Sequence, residues 1–171
     1  MSALRRLLAW MLLAILPLPQ ACLAQDQLQL KAAFIYRFAQ LTEWPPPPAR
    51  EFTYCVAGDA RLQEALRALM QTTSSNASTH TLLLNEPQRV PQCQLLVLGT
   101  GARGDLRRWH EVLADDPVLV IGDSADAFRS GASIGLVIEP NGLAFRINQT
   151  EARRRGLTLS YQMLKLAREV K

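Results

Sequence analysis

The run Gln-Leu-Leu-Val-Leu at 94–98 and the run Val-Leu-Val-Ile at 118–121 carry almost no polar side chain. Each is too short for a helix of its own and too apolar to leave a face in water, which is the condition of an inner strand covered on both sides. The segments around them alternate in kind. Phe52–Ala57 reads as a strand, after which Gly58 and Asp59 turn the chain into a helix over 60–70, where Leu62, Ala65, Leu66 and Leu69 recur at helical spacing. A polar, mobile loop over 71–78 leads to a further strand at Thr79–Leu84. A helix over 105–114 separates the two apolar runs, and after the second run Asp123 or Ser124 caps a short helical turn that Gly131 ends. Strands alternating with helices in this way imply βαβ units and a largely parallel sheet with helices on its faces.

Two further regions flank that unit. Upstream, residues 31–45 read as a helix with more apolar surface than one core contact uses. Leu28, Ala32, Ile35, Ala39 and Thr42 lie along one stripe and Leu30, Phe34, Phe38 and Leu41 along a neighbouring one, leaving Lys31, Gln40 and Glu43 as a narrow polar side. Such a helix either sinks between layers of its own domain or keeps part of its surface for another chain. Phe34, Tyr36, Phe38 and Trp44 are the candidate contacts, to a partner or in a homodimer. The prolines at 45–48 end the helix and are expected to run on as a stiff polyproline spacer. Downstream, 133–138 and 143–148 flank Glu-Pro-Asn-Gly, a hairpin signal. Thr150 is then expected to cap a short helix bearing Arg153, Arg154 and Arg155, with Gly156 closing it. Ser160 opens a last helix with Met163, Leu166, Ala167 and Val170 on one side. The expected fold is α/β: a three-layer single domain with a mixed, mainly parallel β-sheet, helices on both faces, and a C-terminal β-hairpin plus helix.

The first 24 residues read as a signal peptide. Arg5 and Arg6 form its basic start, 7–18 an apolar stretch of 12 residues, and Cys22-Leu23-Ala24 ends on a small residue suited to cleavage before Gln25. That stretch is shorter than the ~20 residues a bilayer span needs. The mature domain, 25–171, is therefore expected as a soluble exported product without direct membrane insertion, and Pro19 and Gln20 make a poor lipobox ahead of Cys22. Without Arg5 and Arg6 the formal charge falls from +4 to +2, 17 basic residues against 15 acidic ones. So small a balance says little about partners, and no basic run interleaved with aromatics points to nucleic acid. The three adjacent arginines read as a solvated helix face. Cys55 and Cys93 remain after cleavage; in an oxidising compartment an even pair fits a disulfide, the alternative being two small core residues that never meet.

The residues that imitate chemistry do not add up to a catalytic set. Gly99-Thr-Gly-Ala-Arg-Gly104, after a strand and before a helix, with Asp123 after the next strand, has the spacing of a dinucleotide fingerprint. Asp105, however, places a carboxylate at the helix N-terminus where a pyrophosphate must sit, and a glycine-rich turn capped by Asp105 explains the pattern. Gly122-Asp123-Ser124 is similar to the nucleophile segment of certain esterases, yet the two histidines, His80 and His110, sit in no recognisable catalytic setting. Distant histidines and a paired set of cysteines make no metal cluster, and no cofactor is expected. Loops at Gly58-Asp59, 99–104 and 122–124 can gather at one sheet edge into a small-molecule crevice, an idea that rests on fold geometry alone.

From Leu30 onward the chain resembles the YfiR-like family of bacterial periplasmic proteins. The resembling pieces come in order: Ala-Ala-Phe-Ile-Tyr-Arg-Phe-Ala-Gln-Leu-Thr-Glu-Trp-Pro at 32–45, Tyr-Cys-Val-Ala-Gly at 54–58, Cys-Gln-Leu-Leu-Val-Leu at 93–98, 118–123 with Phe128 and Gly131, Phe-Arg-Ile-Asn at 145–148 and Leu-Lys-Leu-Ala at 164–167. The resemblance implies a non-enzymatic regulator that binds the periplasmic part of an inner-membrane diguanylate cyclase and holds it inactive, lowering cyclic di-GMP and restraining biofilm formation. It also supports a bridge between Cys55 and Cys93. A second cysteine pair that some relatives carry around the late hairpin has no counterpart here. The alternative is a periplasmic small-molecule-binding module in another envelope signalling pathway; a hydrolase using Ser124 ranks behind both.

Overall fold

The structure is a computed structural model that describes residues 20–73, 78–87, 92–140 and 142–171. The signal-peptide reading falls outside that set, apart from the helical backbone of 20–24. The chain opens with α1 (Gln20–Gln40), followed by β1 (Thr42–Glu43), β2 (Phe52–Ala57), α2 (Ala60–Thr73) and β3 (Thr79–Leu84). It continues through β4 (Leu95–Leu98), a 3-10 turn (Thr100–Asp105) running into α3 (Leu106–Leu113), β5 (Leu119–Gly122) and α4 (Ala125–Arg129). The C-terminal part comprises β6 (Ile134–Glu139), β7 (Gly142–Ile147), α5 (Gln149–Arg154), β8 (Thr158–Leu159), α6 (Tyr161–Leu166) and β9 (Glu169–Val170).

Among the described residues seven strands form one mixed sheet in the order β3-β2-β4-β5-β6-β7-β9. The pairs from β3 through β6 are parallel, β7 returns antiparallel to β6, and β9 runs parallel to β7. From β2 the chain goes first to the edge as β3 and then crosses back to the other side of β2 as β4. That reversal puts a topological switch point between the carboxyl ends of β2 and β4. We call this the upper edge of the sheet; the edge where the parallel strands begin is the lower one.

The two apolar runs become β4 and β5, every residue of which is buried. One face of the sheet lies under α1, α2, α5 and α6, where Ile35, Phe38, Leu62, Leu66, Ala152 and Met163 close over Val56, Val97, Ile121 and Phe145. The other lies under the 3-10 turn, α3 and α4, whose Ala102, Trp109, Leu113 and Ala127 cover Cys55, Leu96, Leu98 and Val120. This is the three-layer arrangement that the alternation of segments predicts.

Several local expectations are corrected. The opening helix does not reach Pro45: it stops at Gln40, and Thr42–Glu43 pairs antiparallel with Thr158–Leu159. The residue before a proline avoids helical backbone, and Thr42 Oγ1 donates to the Phe38 carbonyl at 2.7 Å, occupying one of the helix's last acceptors. The proline run bends at Pro46 and Pro47, so it is not a straight spacer. The helix expected to end at Met70 continues to Thr73, with 74–77 outside the described residues. Asn148, not Thr150, caps α5 by accepting from Glu151 N–H at 3.0 Å. Asp105 makes no cap bond and pairs with Arg108 instead. Ser160 does open the last helix, accepting from Met163 N–H, but α6 ends at Leu166 and Val170 belongs to a strand beside β7.

Candidate partner-binding surface

The opening helix crosses the sheet from the upper edge to the lower, and its ends are fixed by different chemistry. Near the upper edge Lys31 Nζ lies 2.7 Å from Asp123 Oδ2, with the two side chains 12% and 2% exposed. Lys31 is thus no part of an outer polar side. It turns inward because the end of β5 presents a buried carboxylate that has to be neutralised. The same contact removes Asp123 from any ribose or catalytic role, and Ser124 caps α4 by accepting from Ala127 N–H at 3.1 Å. His80 faces Glu51 and His110 faces Ser130, so neither is arranged as a base for Ser124.

The switch point itself is filled. Gly99 N–H donates to the Ala57 carbonyl at 2.9 Å, and a Cβ at Gly99 would stand 2.8 Å from both that oxygen and Asp59 Cβ. Asp59 is committed as the cap of α2, accepting from Leu62 N–H at 3.0 Å. The first glycine of the G-x-G-x-x-G pattern therefore lets two loops meet, rather than admitting a phosphate. Among the described residues no three His, Cys, Asp or Glu side chains converge as metal ligands.

The four aromatic candidates divide. Phe38 is 3% exposed, packed edge-on to Phe34 and to Phe145 with ring centres 5.9 and 4.9 Å apart, so its surface is used within the domain. Phe34, Tyr36 and Trp44 are only half-buried. Trp44 packs on Phe52 at 5.0 Å, Phe52 on Tyr54 at 4.7 Å, and Tyr54 stacks on Tyr36 at 6.5 Å, a continuous row from the lower edge up beside α1. Within it Tyr54 is buried, and burial, with Tyr36 adding to it, pushes its phenol far above the usual range. Tyr54 therefore stays neutral at any working pH.

At the lower edge Cys55 and Cys93 are joined in a disulfide with Cα atoms 5.8 Å apart, tying β2 to the residue that leads into β4. Beside it opens a cleft of about 530 Å³ lined by Trp44, Phe52, Gln94, Asp116 and prolines of the 45–48 and 117 segments. Further along this edge Arg155, fully buried, donates through Nε to Glu151 and through Nη1 to the Asp116 carbonyl, while Arg154 pairs with Asp115 and Glu151. The arginine run is therefore not a solvated face throughout. The spacing of Arg155, four residues after Glu151 on a short helix, is the one sequence signal of that pairing. Burial, and then the charges of Arg155 and Arg154, hold the His110 imidazole down at about 4.

Comparison with solved structures returns the same architecture. The ABC domain in complex with L-Trp from Streptococcus pneumonia matches with a TM-score of 0.53 at 11% identity, over 86% of this chain and 60% of that one. A conserved domain protein from Vibrio cholerae matches with a TM-score of 0.55 at 12% identity, over 84% and 60%. This chain thus spans about 60% of the length of those structures, and at such identities the likeness is one of fold. We found no match among curated proteins. A family model described as YfiR/HmsC-like matches residues 28–168, from the second turn of α1's described face to the threshold of β9. No helix of the described residues is long and apolar enough to cross a membrane. With the match running through every strand of the sheet except β9, the chain belongs to the YfiR/HmsC-like family.

Proposed function

We propose that this protein is a non-enzymatic periplasmic regulator that binds the periplasmic part of an inner-membrane diguanylate cyclase and holds it inactive, lowering cyclic di-GMP and restraining biofilm formation. The observation that carries this reading is the family match over residues 28–168. The half-buried aromatics Phe34, Tyr36 and Trp44 support it by offering apolar surface beyond what the core uses. A cyclase has its catalytic domain on the other side of the membrane, so the regulator acts by binding the inactive conformation more tightly than the active one. The mature domain begins near Gln25 after loss of 1–24 and works as a soluble partner rather than an anchored one.

Deleting the gene is expected to raise cyclic di-GMP and surface attachment, and deleting the cyclase as well is expected to abolish both changes. Unchanged cyclic di-GMP in the single deletion would overturn the reading.

A further inference from the structure

The cleft at the lower edge has a one-sided polar character. Pro45, Pro47, Pro48 and Pro117 on its walls have no N–H, so those residues offer only acceptors. On its floor the Gln94 carbonyl accepts from Trp44 Nε1 at 3.2 Å and from Leu119 N–H at 2.9 Å, and Gln94 Oε1 accepts from Thr53 N–H at 2.7 Å. The backbone of Asp116 is likewise engaged, its N–H with the Leu113 carbonyl and its oxygen with Arg155 Nη1 and Val118 N–H. Asp115 is taken by Arg154. The Asp116 carboxylate, by contrast, has no hydrogen bond or ion pair among the described residues, and it stands exposed at the wall of an otherwise apolar cleft.

We propose that this cleft receives an extended basic segment of a partner protein, one arginine or lysine of which lays its stem over Trp44 and Phe52 and sets its head group on Asp116. A long cationic side chain is apolar along its stem and purely a donor at its tip, which matches walls that are apolar and supply acceptors. A guanidinium gains further from the Trp44 ring. An acidic segment would meet the Asp116 carboxylate and proline carbonyls, with the Gln94 amide NH2 and the Ala49 N–H as neutral donors and no cationic side chain on the cleft's lining. At about 530 Å³ the cleft has the size of a binding site rather than of a surface dimple. Its floor is a preformed apolar bed, Trp44 and Phe52 packing edge to face with ring centres 5.0 Å apart. The inference rests on the reading of this protein as a partner-binding regulator, and gives that partner a chemistry.

The test uses the full mature chain and two blocked pentapeptides, acetyl-Gly-Leu-Arg-Leu-Gly-amide and the same peptide with citrulline, which keeps the shape of arginine and loses its charge. Binding is followed by backbone amide shifts and by the emission of Trp44, Trp109 being buried. The arginine peptide is expected to move amides around Trp44, Phe52, Gln94 and Asp116, and to bind about tenfold more tightly than the citrulline peptide, the scale of a charge-assisted hydrogen bond. Asp116→Asn should erase that difference while Asp115→Asn leaves it in place. Equal binding of the two peptides, shifts confined to other surfaces, or an unaltered preference in Asp116→Asn would overturn the inference. If those results came with a normal rise in cyclic di-GMP on deletion, the cleft alone would be refuted. Peptide binding without a cyclic di-GMP response would refute the regulator and leave the cleft.

Discussion

The two edges of this sheet have opposite fates. In open α/β sheets the carboxyl ends of the strands, at the switch point, are where ligands ordinarily sit. Here the switch point between β2 and β4 is filled: Gly99 packs against Ala57 and Asp59, and further along the same edge Lys31 reaches from α1 to neutralise Asp123, beside a smaller cavity of about 260 Å³ between α4 and β6. The lower edge, ordinarily a place for structural turns, holds the open cleft with an Asp116 carboxylate that no described residue engages, next to the disulfide and the buried Arg155. The comparison teaches that a fold's customary binding place can be converted into an internal joint when one glycine and one ion pair let neighbouring elements meet.

The largest expected effect comes from breaking the upper joint electrostatically. Lys31→Met leaves Asp123 buried and unpaired, and breaking a buried pair on one side costs about 3–5 kcal/mol. Urea unfolding should show that loss, with α1 the element that loosens first by hydrogen exchange. A cost under about 1 kcal/mol would mean that water already reaches the pair and that the upper edge is not closed.

A smaller and purely steric break is Gly99→Ala. The added methyl would meet backbone oxygen and Asp59 at 2.8 Å, so the β2 and β4 loops must part, at a cost of about 1–3 kcal/mol. Thermal unfolding measures this. A neutral result would indicate slack at the switch point and reopen that edge as a ligand site.

The lower edge is sharpened by pH. The His110 imidazole is held at about 4 in the folded chain against an ordinary value near 6.5. Between those values the unfolded state binds more protons, so stability contributed by neutral His110 is present above about 6.5 and lost as the pH falls towards 4. Unfolding free energies measured across that window should decline less steeply in His110→Gln than in the parent chain. Parallel declines would show that burial and the neighbouring Arg155 and Arg154 do not hold this ring down in the folded chain.

Much of the architecture was legible in the chain. Local patterns spoke for themselves wherever one segment satisfied its own needs: the strands Phe52–Ala57 and Thr79–Leu84 have the bounds that alternation and turn residues gave them, Ser124 and Ser160 cap as their positions before helices imply, and β4 and β5 announce by having no polar side that they are covered twice. Tertiary structure decided the rest, because the deciding partner lay far along the chain. Lys31 and Asp123 are 92 residues apart, and nothing in the stripe around Lys31 told that its charge turns inward. Arg155 became a buried anchor only because Asp116, 39 residues earlier, presents its carbonyl at the same edge. The candidate surface was legible as an excess of aromatics around α1, but which of them stay half-exposed was set by Phe145 arriving on β7 to enclose Phe38. Short-range propensity and periodicity are written in neighbouring residues; desolvation of a charge and the closing or opening of an edge depend on which distant groups share a space, and only the folded chain determines that.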